Sequence, residues 1–104
     1  MATQLLTRSA LLLVLALLPV MAQAHYPVMD CSRDSDRINC RIGYSDGTLA
    51  HGQEVVMYSY ADEELVRVKA DGRSEAHFDW YEGEFYIQFD AGHEDPAEFD
   101  YVEF

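Results

Sequence analysis

The sequence predicts an all-β protein: one seven-stranded antiparallel β-sandwich that follows a cleaved signal peptide. Short runs of β-branched and aromatic residues alternate with polar residues, and clusters of Asp, Gly and Ser separate the runs. No segment of the mature domain shows the apolar period of a helix. The runs recur at the regular spacing that is typical of sandwiches.

The first 24 residues have the three parts of a secretory signal peptide. Arg8 precedes an apolar run at 10–20, and the small-residue triplet Ala22-Gln23-Ala24 follows it. A retained membrane anchor is the alternative, but Pro19 interrupts the short run and no basic cluster follows. We therefore expect a signal peptide at 1–24 and a periplasmic or secreted domain at 25–104, with no membrane insertion after cleavage.

Seven strands are predicted in the mature domain, and alternation indicates which face of each is buried. In the second strand, Ile38, Cys40 and Ile42 share one face, and Asn39 and Arg41 share the other. The predicted strands are 26–31, 37–44, 54–60, 64–69, 75–80, 84–90 and 97–103.

Two of these strands carry further predictions. The third is apolar on both faces, so it is either central or covered on its outer side. In the fourth, Val66 and Val68 are predicted to face inward, opposite Arg67 and Lys69.

Cys31 and Cys40 are the only cysteines, and both lie in the exported part. An oxidising compartment and an even cysteine count favour one intramolecular disulfide that ties the first two strands. A loop this short would stabilise the domain by about 2 to 3 kcal/mol in the chain-entropy estimate. The alternative, a dithiolate metal site, is disfavoured by the compartment and by the long spacing.

The net charge of the chain indicates which classes of partner it can bind. The whole chain has seven basic and 19 acidic residues and a net charge of −12, and removal of Arg8 leaves the mature domain at −13. Nucleic acid and anionic membranes are therefore poor partners, whereas cations and basic protein surfaces are natural ones. Solubility alone is the alternative explanation, because the acids are spread along the chain.

Segments between Gly52 and Gly92 carry a family resemblance. The run 52–57, the turn Asp71-Gly72-Arg73 leading to an aromatic strand, and the run 83–92 resemble the carboxypeptidase-regulatory-like, prealbumin-like sandwich. The resemblance implies an immunoglobulin-like or prealbumin-like fold. The exported context, a histidine at the mature terminus and the Asp-Ala-Gly-His stretch are also similar to small periplasmic proteins associated with nickel, cobalt or copper handling.

The sequence does not predict an enzyme. It contains no Gly-x-Ser-x-Gly elbow, no phosphate-binding loop and no His-Glu-x-x-His pair. Adjacent acids such as Glu94 and Asp95 are ordinarily solvated surface groups.

His25 is the residue with the strongest chemical signal. Cleavage after Ala24 would give it a free α-amino group beside its own imidazole, and those two nitrogens can chelate one metal ion. Amines and imidazoles give up their protons near neutral pH and suit copper(II), with nickel(II) or cobalt(II) next.

Topology adds two further metal ligands to this prediction. If successive strands reverse direction, the start of the first strand, the second connection and the sixth connection share one pole. His25, His51 and His93 would then be neighbours among acidic residues. His77, which alternates with Phe78, is predicted to be an ordinary exposed strand residue.

We therefore predict a periplasmic protein that binds a transition metal through His25, His93 and His51 and passes it to or from an envelope transport protein. The alternative is a metal-free sandwich that binds another envelope protein through a sheet edge and exposed aromatic residues. The candidates for that surface are Tyr58, Tyr60, Tyr81, Tyr86 and Tyr101.

Overall fold

The computed structural model describes residues 25–104, so the predicted signal peptide lies outside the described residues. The described part contains seven strands in two antiparallel sheets, which confirms the all-β prediction. Within it, no helix has the length and apolar character needed to cross a membrane. The strands are β1 (Pro27–Asp34), β2 (Arg37–Tyr44), β3 (Glu54–Ser59), β4 (Glu64–Lys69), β5 (Glu75–Asp79), β6 (Phe85–Phe89) and β7 (Ala97–Asp100).

The sheets have three and four strands. The first has the order β1-β2-β5 and the second the order β4-β3-β6-β7, with antiparallel pairing throughout. β3 is therefore an interior strand, as its two apolar faces predicted. Val56 on its outer face is buried together with Val55 and Met57 on its inner face.

One hydrophobic cluster contains residues from both sheets. Ile38 and Phe78 come from the three-stranded sheet, and Phe85, Ile87 and Phe89 come from the four-stranded sheet; each is at most 1% exposed. Burial of one such side chain contributes about 1.5 to 3 kcal/mol. The inward face predicted for β2 thus belongs to the core, together with alternate residues of β5 and β6.

The β1–β2 hairpin is longer than predicted because its turn is tight. Ser35 adopts a positive φ of 54°, and this lets Asp34 pair directly with Arg37. β1 therefore continues past the predicted end at residue 31. Cys31 lies directly opposite Cys40 with their Cα atoms 4.0 Å apart, and the predicted disulfide joins them.

The edge strand β4 departs from its predicted alternation. Val68 contacts the core, but Val66 is 42% exposed although it pairs with the buried Met57. The register shifts after Met57, and Leu65 packs against the core instead. The prediction that Val66 is buried is therefore wrong.

The last strand is shorter than predicted. A 3₁₀ turn, Tyr101–Glu103, replaces the end of the strand predicted at 97–103. The Asp100 carboxylate accepts from the Val102 amide, and the Glu103 carboxylate accepts from the Asp100 amide. This reciprocal cap makes the turn locally favourable, so it ends β7.

Candidate metal centres

His25 and His93 meet on an aromatic support where β2 ends. The His25 ring stacks on Tyr44 with 4.3 Å between ring centroids and 24° between planes. The His93 ring is stacked 5.7 Å from His25, and Phe89 supports Tyr44 at 5.9 Å. We call His25, Tyr44, Asp46, Thr48 and His93 the N-terminal cluster.

A carboxylate and a hydroxyl hold one nitrogen of the His25 ring. Nε2 lies 3.5 Å from Asp46 Oδ2 and 3.3 Å from Thr48 Oγ1. The Thr48 hydroxyl and amide donate to Asp46 Oδ1 at 2.7 and 3.0 Å, and these bonds lower the pKa of Asp46. A proton on Nε2 suits both oxygen atoms, so Nδ1 keeps its lone pair.

Two short loops place these residues. Tyr44 ends β2, and the next turn closes with a bond from the Gly47 amide to the Tyr44 carbonyl. Gly92, at a φ of 84°, turns the chain after β6, and its amide donates to Asp90 Oδ1 at 2.8 Å. His93 follows immediately and so reaches the β2 end of the other sheet.

The structure thus brings together two of the three histidines predicted as metal ligands. His51 is exposed and has no hydrogen bond, ion pair or ring contact with the other described residues. The histidine and aspartate side chains of the N-terminal cluster also do not place three ligand atoms within 4.8 Å of one another. A three-donor centre here would need the α-amino group of His25.

A second cluster lies on the outer face of the three-stranded sheet. Asp71, Glu75 and His77 place one donor atom each within 4.8 Å of one another, and among residues 25–104 they are the one such group. His77 Nε2 is 3.6 Å from Asp71 Oδ2 and 4.0 Å from Glu75 Oε2. We call these three residues the strand cluster.

Neighbouring groups fix the orientation of the strand cluster. His77 Nδ1 lies 2.6 Å from Asn39 Oδ1 on the paired strand β2. Asp71 Oδ1 accepts from the amides of Arg73 and Glu75 at 2.8 and 3.1 Å. The bond from the Glu75 amide is the largest cause of the lowered pKa of Asp71, and Oδ2 is left facing the imidazole.

The local sequence explains this arrangement. Ser74 is fully buried at a φ of 65°, donates to the Ile42 carbonyl at 2.5 Å and accepts from the Ala50 amide at 2.8 Å. It ties the turn before β5 to β2. Glu75 and His77 then share a face because side chains alternate along a strand.

The sequence prediction treated His77 as an ordinary exposed residue and missed this cluster. The pair Glu75-x-His77 was a usable signal, because the spacing places both on one face of a strand. The contribution of Asp71 was not readable, since it depends on the turn that Ser74 holds.

The tyrosines predicted for the alternative function lie on the four-stranded sheet and its margins. Tyr58 and Tyr86 stack at 5.3 Å. The Tyr60 hydroxyl donates to Asp100 at 2.7 Å and the Tyr86 hydroxyl donates to Asp62 at 2.7 Å, and each bond raises the pKa of its tyrosine to about 12. These hydroxyls are engaged within the domain.

Comparisons with protein families, curated proteins and solved structures find no match to this chain.

Proposed function

We propose that this protein is an exported carrier that binds copper(II), with nickel or cobalt as the next candidates, through the mature N-terminal residue His25. It passes the ion to or from a transport protein of the envelope. The proposal includes cleavage after Ala24 and a β-sandwich of the immunoglobulin-like or prealbumin-like kind. The observation that carries it is the His93 ring stacked 5.7 Å from the His25 ring.

The donor set is nitrogen-rich. The α-amino nitrogen and Nδ1 of His25 can close a six-membered chelate ring, because Asp46 and Thr48 engage the opposite ring nitrogen. His93 supplies a third nitrogen from the other sheet. Amine and imidazole nitrogens suit copper(II) above the other divalent first-row metals, and Asp46 offsets part of the charge of the ion.

The charge of the domain supports a role as carrier. A net charge of −13 after removal of Arg8 raises the local concentration of cations around the mature protein. His25 and Asp46 are both partly exposed, with 43% and 27% of their side-chain surfaces accessible. An ion at such a site can be exchanged with a partner without opening the core.

The decisive experiment moves the amine while leaving every side chain in place. A mature protein with one extra residue before His25 should bind copper(II) at least about 100-fold more weakly, equivalent to about 2.7 kcal/mol, in competition with a chelator. His93→Ala should weaken binding about 10-fold or more. His51→Ala is the matched control, because it removes a histidine that contacts neither ring.

An extended protein that binds copper(II) as tightly as the unmodified one would contradict the proposal. The alternative of a metal-free module that binds another protein through Tyr58, Tyr60, Tyr81, Tyr86 and Tyr101 would then be preferred.

A further inference from the structure

We propose that the strand cluster is a second metal site, independent of the N-terminus, which binds zinc(II) or a similar borderline divalent ion. Asp71 Oδ2, Glu75 Oε2 and His77 Nε2 are its ligands. This inference does not rest on the function proposed for His25. The two sites share no residue: the N-terminal cluster lies where β2 ends, and the strand cluster lies on β5 and the turn before it.

The separations of the donor atoms suit zinc. Two ligands at zinc bond lengths of about 2.0 to 2.1 Å in a tetrahedral site lie about 3.3 Å apart. The imidazole nitrogen is 3.6 Å from one carboxylate oxygen and 4.0 Å from the other. All three donor atoms lie within 4.8 Å of one another, so rotations of these partly exposed side chains would close the difference, and water would complete the four ligands of zinc.

The imidazole is already oriented as a ligand. A histidine that binds a metal through one nitrogen ordinarily donates the other N–H to a carbonyl or carboxylate oxygen. Here Nδ1 lies 2.6 Å from Asn39 Oδ1, an oxygen that can only accept, so Nδ1 is the donor and Nε2 is the nitrogen that faces the two carboxylates. Asn39 lies on a different strand and is not one of the three ligands.

Both carboxylates keep an oxygen free for an ion. Asp71 receives its two backbone amides on Oδ1, which leaves Oδ2 on the His77 side. Arg41 stands opposite Glu75 in the register, yet these two side chains form no ion pair within 4.0 Å in the described chain. One nitrogen and two oxygens form a donor set for zinc, nickel or cobalt rather than for copper(I), which prefers sulfur.

A different account of the same geometry is a protonated His77 that pairs with both carboxylates and needs no metal. The two accounts differ in what zinc does. If zinc binds, it displaces the proton from Nε2 and leaves Nδ1 bonded to Asn39. If the cluster is only an ion pair, zinc at micromolar concentration leaves the ring unchanged.

The test uses the mature protein with one extra residue before His25 and with His93→Ala, so that the N-terminal chelate is absent. Zinc affinity is measured by competition with a chromophoric chelator, and ring nitrogens are followed by long-range ¹H–¹⁵N spectra. We expect one zinc ion per chain and a selective shift of His77 Nε2. We also expect a loss of at least about 10-fold in His77→Ala and in Asp71→Asn.

His51→Ala in the same background is the matched control and should bind zinc unchanged. Amide spectra of each variant check that the domain is folded, which is expected because His77 and Asp71 are partly exposed. A His77→Ala variant that binds zinc within twofold of its parent would overturn the site. So would an equal loss in His51→Ala, or zinc binding without a shift at His77 Nε2.

Discussion

The N-terminal cluster and the strand cluster both contain histidine and aspartate, but they are built differently. In the first, His25 stacks on Tyr44 and His93, and one carboxylate holds Nε2. In the second, one imidazole faces two carboxylates and is held by an amide oxygen. The groups around a histidine, as much as its presence, therefore determine which ring nitrogen stays accessible.

In the two clusters, the neighbouring groups leave opposite ring nitrogens of the histidine accessible. Asp46 and Thr48 engage Nε2 of His25, which leaves Nδ1 near the backbone amine of the same residue. Asn39 engages Nδ1 of His77, which leaves Nε2 pointing away from the backbone toward other side chains. The chelate that we propose at the chain terminus uses the first arrangement, and the site that we propose from side chains alone uses the second.

The two clusters also differ in the strands that hold them. Removal of the disulfide should therefore have the largest effect on the difference between them. His25 precedes β1, whose pairing with β2 contains the disulfide, whereas His77 is on β5. We expect Cys31→Ala with Cys40→Ala to lower the free energy of unfolding by about 2 to 3 kcal/mol, as measured by urea denaturation. Copper(II) affinity should then fall more than zinc affinity.

Hydrogen exchange of single amides separates local from global effects in that experiment. β1 amides should exchange faster relative to β5 amides once the disulfide is absent. Wild-type protein with its disulfide reduced is the control, since it keeps both sulfur atoms and their packing. A uniform acceleration across both strands would show that the disulfide acts on the stability of the whole domain, so that the two clusters would not differ in their anchoring.

The next largest effects come from removing each support. Asn39→Ala should weaken zinc binding about 10- to 100-fold, the usual cost of losing the partner of a ligating histidine, and leave copper binding unchanged. Tyr44→Leu should weaken copper binding about 2- to 10-fold, because an aromatic pair contributes about 0.5 to 1.5 kcal/mol. Its zinc affinity should not change.

The paired variants serve as controls for each other in chelator competition. If Asn39→Ala and Tyr44→Leu changed both metals by equal factors, the supports would act through the stability of the whole sheet rather than on their own histidines.

Much of the N-terminal cluster was predictable from the sequence. A strictly antiparallel order predicts that the start of β1 and the β6–β7 connection share a pole, and His25 and His93 do meet there. The position of His51 was not predictable, because a pole spans several strands and loop direction is set by local turns. The turn that contains His51 is instead bonded to the connection between β4 and β5, because the Gly52 amide donates to the Ala70 carbonyl.

The strand cluster was harder to predict because its geometry depends on a buried serine. Alternation correctly puts His77 on the outer face, but the position of Asp71 follows from Ser74, whose hydroxyl bonds to β2 and to the Ala50 amide. The burial pattern of β4 and the end of β7 illustrate the same limit. A register shift after Met57 and the cap at Asp100 are tertiary and local preferences that compete with simple alternation.

The smallest expected effect concerns pH, and here the clusters should behave alike. Bonds from Thr48 lower the pKa of Asp46, and backbone bonds from Glu75 and Arg73 lower the pKa of Asp71, in each case below the ordinary value of 3.8. A carboxyl whose pKa is lower in the folded state than in the unfolded state stabilises the fold above the unfolded pKa. That stabilisation is lost as the pH falls through the folded value.

Asp46→Asn and Asp71→Asn should therefore each be slightly less stable than wild type at pH 7. The difference should shrink toward zero as the pH is lowered from about 5 to below 3, where the wild-type carboxyls are protonated as well. Urea denaturation of metal-free protein across this range measures the difference in stability.

Asp95→Asn is the control, because this exposed acid has no bond or ion pair among the described residues. A variant that loses stability equally at pH 7 and pH 3 would show that its aspartate acts through packing rather than charge. The likeness of the two clusters would then not extend to their carboxylates.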